Sequence, residues 1–185
     1  MQLFTDLGRY CRLLFEALRS SSEFGSYRRN LISEMIKTGY DSLPIILLAG
    51  FFTGAVMTVQ TAYQLLAGFI PRSTIGSIVS QSLLIELAAV ISALVLAGRV
   101  GARIATELGT MAVSEQIDAL ESMGFNSVTF LVIPRIFAGL IMFPVIYVAA
   151  ASAGIGGGIL AGLVTGALPP ADFLIGARQV FSRGM

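Results

Sequence analysis

Three long stretches of this chain carry almost no charge, and that constrains its fold more than any other feature. Ser42 to Pro71 is 30 residues without a charge. Residues 73–98 hold a single charge, Glu86, and Ile136 to Ala171 is an uncharged run of 36. As helix, 30 residues reach about 45 Å, against a hydrocarbon core of roughly 30 Å. Each stretch is therefore long enough to cross a bilayer. Only 12% of residues are charged and 55% are hydrophobic, more apolar surface than a core of this size can hide, so lipid must solvate much of it. The expected fold is all-α and polytopic, with three spans. Pro44 suits the first turn of its helix, where a missing N–H is harmless. The third run reads as one long helix, kinked at Pro144 and ended by Pro169-Pro170.

Composition excludes several functions. There is no histidine, and Cys11 is the single cysteine. A disulfide framework and the usual zinc and haem ligand sets are therefore missing, as is any nucleophile that needs an imidazole. No cofactor or metal is expected. The single lysine, Lys37, follows Glu34, Met35 and Ile36 rather than a glycine-rich loop, so the chain is not a P-loop ATPase. Any such energy source would be another chain. A net charge of +1 gives no case for nucleic acid.

Two expected parts follow. Residues 1–41 form a cytoplasmic interfacial helical segment, and residues 42–185 a transmembrane domain with a cytoplasmic loop at 99–135. Within 2–19, Leu3, Leu7, Tyr10, Leu14 and Leu18 share a face, while Arg9, Arg12, Glu16 and Arg19 fall on the other. That is an amphipathic helix suited to the interface. No 7–15-residue apolar run marks a cleavable signal there. Nine Lys and Arg in the N-terminal arm and the 99–135 loop, against three elsewhere, place both in the cytoplasm. Three spans then leave the C-terminal end outside.

Glu86 is the prime candidate for function. It has 13 uncharged residues before it and 12 after it in its run, which puts it near mid-bilayer. An acid there costs about 2.5–3.5 kcal/mol on insertion scales. It belongs in a polar path, or it is a neutral acid that packs between helices. Gln60 and Gln64 are further polar groups late in the first span. Gly154, Gly158, Gly162 and Gly166 recur at every fourth position, and Gly50 and Gly54 do the same, which makes smooth ridges for close helix approach. In the polar stretch, Ser114 with Glu115 to Ile117 reads as a capped helix start. Ile117, Leu120 and Met123 form a short apolar stripe among acids, Gly124 ends the helix, and Asn126-Ser127 turn the chain. Such a helix either docks a motor protein or lies on the membrane.

This stretch also carries a family resemblance. Thr106-Glu107-Leu108-Gly109-Thr110-Met111, Glu115-Gln116-Ile117-Asp118-Ala119-Leu120 and Val132-Ile133-Pro134-Arg135 closely resemble the signature of the MlaE/YrbE-type permeases of Mla and Mce lipid-transport ABC systems. The resemblance extends to Leu83-Leu84-Ile85-Glu86-Leu87, to Gln60 and to the Gly154–Gly166 region, so it covers nearly the whole chain. It implies a homodimeric permease of the bacterial inner membrane, with an interfacial N-terminal helix and five spanning helices. About three of these fall within these residues, and two spans of roughly 20 residues each would follow. The resemblance further implies phospholipid as substrate, with Gln60 and Glu86 as its contacts. Glu115, Gln116, Asp118, Leu120 and Gly124 would make the coupling helix that seats in a cytoplasmic ABC ATPase. The run from Asp118 to Gly124 also resembles the EAA loop of ABC importers. A periplasmic MCE-domain protein would complete the assembly, and some such systems add a small STAS-domain protein. The competing expectations are a small-molecule ABC importer permease, which needs a more polar cavity, and a non-transporting membrane scaffold. A membrane enzyme is the weakest of the alternatives, since no cluster of catalytic residues occurs.

Overall fold

The structure is a computed structural model. It describes Gly8 and residues 28–65, 71–124 and 127–183. The expected amphipathic helix at 2–19 and the turn residue Asn126 lie outside the described residues. Every regular element among the described residues is helical. Helix α1 is Arg28–Thr38 and is followed by a 3-10 turn, Tyr40–Ser42. The first apolar run forms α2, Leu43–Leu65. The second begins as α3, Arg72–Ser82, passes through a π-helical turn, Leu83–Leu87, and continues as α4, Ala88–Val113. Two short helices follow, α5 at Gln116–Ser122 and α6 at Ser127–Leu131. The third run is α7, Ile133–Thr165, and α8 is Pro170–Arg183. Three continuous helical stretches are long and apolar enough to cross a membrane: Asn30–Leu65, Arg72–Val113 and Ile133–Thr165.

The boundaries depart from expectation in three places, each for a local reason. First, the polar stretch after residue 98 does not leave the helix; α4 runs on to Val113. The hydroxyls of Thr106, Thr110 and Ser114 each donate to the carbonyl four residues back, at 2.9, 2.9 and 2.7 Å. Polarity marks the exit from lipid here, while the backbone stays helical. Second, Ser114 therefore closes α4 and does not cap α5. The residue before α5 is Glu115, in a left-handed conformation (φ 57°) with no side-chain cap. Gly124, at φ 82°, ends α5 as expected. Third, α7 runs through Pro144 but stops at Thr165, where Gly166 turns the chain at φ 66°. Pro169-Pro170 do not end this helix. Pro170 opens the next one, where its fixed φ suits a first turn.

The chain divides into two compact units, residues 1–41 with 98–142, and residues 42–97 with 143–185. In the second unit, glycines let the first and third spans meet backbone to backbone. A Cβ on Gly50 would meet the Ala150 carbonyl, and one on Gly54 would overlap the carbonyl of Gly154. Gly157 sits equally close against Phe51, although it lies off the fourfold series. Gly158 and Gly162 do face neighbours, Thr58 with Phe173 and Leu168. Gly166 has open space around it, so the fourth glycine of the series is a turn and not part of the ridge. Close packing of this kind is what holds helices together where lipid removes the hydrophobic drive.

Helix α8 packs on α3. Phe173 is fully buried with Ile75, Val79, Leu83, Leu168 and Ala62, and Gly76 lies against the Phe173 backbone. The Ser77 hydroxyl reaches the Gly176 carbonyl at 3.1 Å. Outward, Leu48, Phe52, Val56, Leu94, Leu140, Val148 and Val164 are exposed, the surface that lipid would wet.

The first unit is tied by charge. Glu34 on α1 lies 3.0 Å from Arg103 on α4 and 3.9 Å from Arg135 on α7. Arg135 also pairs with Glu107 at 2.9 Å, and Lys37 lies 3.4 Å from both Glu34 and Glu107. Glu34 and Arg135 are almost fully buried. Arg99 donates to the Asp41 carbonyl.

Candidate functional site

The expected substrate contacts lie in the second unit. On α2 the 3.6-residue period puts Thr58, Thr61 and Ala62 inside and Val56, Gln60, Tyr63 and Gln64 outside. Thr58 resolves its own polarity by donating to the Gly54 carbonyl at 2.9 Å. Gln60 and Gln64 project, with Tyr63, into an open depression of about 490 Å³ that Ala55, Val56 and Val59 also line. All six of these residues lie on α2, so the feature is one helix face: an apolar strip along which an alkyl chain could lie, with two amides and a phenol at one end. Tyr63 is a member that the sequence reading missed. Its place one residue before Gln64, on the outward face of α2, was the available signal.

Glu86 is exposed on the second span. It is not among the residues that line the Gln60 depression. Glu86 lies within the π-helical turn. Turns of this kind are rare and occur frequently at functional sites.

The expected coupling residues belong to the first unit. Gln116, Asp118 and Leu120 lie on α5, with Glu115 before it and Gly124 after it. Glu115, Gln116, Asp118 and Gly124 are exposed, and Ile117 and Leu120 are half-buried. Glu121 accepts from the Ser127 hydroxyl at 2.6 Å, which folds α6 back beside α5. The result is a short helix with an acidic outer face at the end of the polar extension of α4. The sequence reading also missed the cluster of Glu34, Lys37, Arg103, Glu107 and Arg135. Its signal was present as Glu34/Lys37 at i,i+3 and Arg103/Glu107 at i,i+4, but the second pair is visible only once 99–113 is taken as helix. Among the described residues no group of His, Cys, Asp and Glu could hold a metal ion.

The family model for Permease MlaE matches residues 31–184. The intermembrane phospholipid transport system permease protein MlaE of Haemophilus influenzae is 37% identical over 163 residues, 88% of this chain and 62% of that protein. A protein of Rickettsia bellii named a probable ABC transporter permease protein is 35% identical over 163 residues, again 88% of this chain and 62% of its own length. The chain thus spans about six-tenths of the length of these relatives. With its three apolar helices, it is a multi-pass membrane protein, and it belongs to the MlaE permease family.

Proposed function

We propose that this chain is the membrane permease subunit of an ABC system that moves phospholipid between the bacterial inner membrane and periplasmic or outer-membrane carriers. One observation carries the reading. The Gln60 depression joins an apolar wall to amides and a phenol on a spanning helix, which is the chemistry of a lipid with its tails and its headgroup. The name of the Haemophilus influenzae relative points the same way. A small-molecule importer would need more polar lining than this wall offers.

Two copies enclose the path, with Gln60 and Glu86 as its polar contacts. A cytoplasmic ABC ATPase seats on α5 through Glu115, Gln116, Asp118, Leu120 and Gly124, and its nucleotide cycle biases two states of the permease. A periplasmic MCE-domain protein receives or delivers the lipid, and a STAS-domain protein is the optional fourth component.

The test is mass spectrometry of the full-length protein, released gently from its native membrane. A stoichiometric ATPase together with bound phospholipid is expected. A homodimer that carries neither would overturn the transporter reading in favour of a scaffold.

A further inference from the structure

The π-helical turn at Leu83–Leu87 has a partner on another span. The Ala88 N–H donates to the Leu83 carbonyl, five residues back. In an α-helix it would donate to Leu84, four back. The Leu84 carbonyl is instead met by the hydroxyl of Tyr147, a half-buried residue of α7. In hydrocarbon a carbonyl without a donor is costly, so this hydroxyl compensates for the very bond that the π turn removes.

The buried positions show what the extra residue does. Along the second span Ile75, Gly76, Val79, Ser80 and Leu83 are buried at helical spacing, and then Ala88 and Ser92. From Leu83 to Ala88 is five residues, one more than an α-helical face allows. The π turn absorbs that residue. Both halves of the span then keep their small or apolar face inward, and Ile85 and Glu86 bulge outward.

We propose that Tyr147 is a positioning residue for Glu86, and that its hydrogen bond to Leu84 latches the π turn in the register that presents Glu86 to the lipid path. This rests on the reading of Glu86 as a contact of that path. When the latch is released, the Ala88 N–H returns to the Leu84 carbonyl and the extra residue passes along the helix. In the released register the extra residue leaves another carbonyl short of its donor, so the Tyr147 hydrogen bond is what favours the latched register. Glu86 turns by about 100° around the helix between the two registers. The span thus contains a two-state element that movement of α7 relative to the second span can bias.

The experiment uses the full-length permease assembled with its ATPase in phospholipid vesicles, in a background freed of other cysteines. Glu86→Cys and Ile85→Cys are each labelled with a water-soluble maleimide, with and without Tyr147→Phe. Loss of one hydrogen bond should change the latched population by about threefold to tenfold. The labelling rate at position 86 is expected to shift by that factor, and the rate at position 85 in the opposite sense. A purely structural tyrosine would lower the melting temperature and leave the ratio of the two rates unchanged, which would overturn the proposal. Deletion of Ile85, an exposed residue, removes the extra residue and leaves a straight α-helix. This variant should fold, and its labelling at position 86 should no longer respond to Tyr147→Phe; a continued response would also overturn the latch. Lipid transfer by Glu86→Leu separates the two readings. If transfer persists while the labelling ratio still shifts with Tyr147→Phe, the lipid contact is wrong and the latch stands.

Discussion

Gly54 and Glu86 are single residues whose replacement has opposite consequences. A side chain at Gly54 has nowhere to go, because what it meets is the backbone of Gly154 and not a flexible side chain. Gly54→Ala should therefore push α2 and α7 apart and destabilise the protein by about 1–3 kcal/mol. Gly139→Ala, with open space around it, should instead stabilise its helix by about 0.5–1 kcal/mol. Thermal unfolding of the two purified full-length variants checks both signs. Glu86 is the reverse case, a residue that burdens the fold. Glu86→Leu removes an insertion cost of about 2.5–3.5 kcal/mol, so the variant should accumulate in the membrane at least as well as the parent. Its lipid transfer, measured between labelled vesicles and an acceptor, should fall at least tenfold. Unimpaired transfer would remove Glu86 from the path. Residue-scale legibility was uneven. An isolated acid in an apolar run stands out by itself, as Glu86 did. Tyr147 did not, because a hydroxyl that meets a carbonyl 63 residues away leaves no local pattern.

Among the elements, the apolar runs located all three spans, since twenty or more uncharged residues have few other uses. Their ends were less legible. Polar residues after Gly98 resemble a loop to any hydropathy argument, yet the backbone stays helical to Val113, and Thr106 and Thr110 satisfy their hydroxyls on carbonyls of the same helix. Helix α8 was missed because Pro169-Pro170 look like a stop, when a proline at a first turn is a start. The misread loop also hid the cluster that ties α1, α4 and α7 within the first unit. Arg135 is its best-buried member, with one N–H edge toward Glu107 and another toward Glu34. Removing it leaves two acids with fewer cations around them. Arg135→Ala should cost about 3 kcal/mol, discounted from larger values because Lys37 and Arg103 stay beside Glu34. Arg135→Lys should recover only part of this, since an ammonium does not reach both acids with the guanidinium's fork. Thermal denaturation of the three proteins in one detergent orders them; equal midpoints would show the cluster to be neutral.

The whole molecule carries two kinds of exposed surface, one apolar and one acidic. Its spans expose large apolar side chains, and the chain is about six-tenths as long as its relatives. In the first unit, α5 presents acids outward and holds a half-buried pair, Ile117 and Leu120. Among the described residues Glu115 and Asp118 form no ion pair, and both are exposed at the start of α5. A charge reversal at both, Glu115→Arg with Asp118→Arg, loses the favourable placement of acids at the start of α5 and should cost only about 1–2 kcal/mol of folding stability. If the acids face a basic rim on the ATPase, the same change puts like charges together across that interface. Such juxtaposition costs several kcal/mol, enough to reduce recovery of the ATPase with the permease by at least tenfold. The loss should lessen as salt is raised, because rim charges are screened over a Debye length of about 10 Å at 0.1 M. Apolar contacts would not respond to salt in this way. Leu120→Asp adds a charge under the helix instead, and its loss of ATPase should persist in salt. The two variants, followed by ATPase co-purification at low and high salt, thus separate a charged rim from an apolar seat. Full retention of the ATPase by both would mean that α5 lies on the membrane and that the motor docks elsewhere.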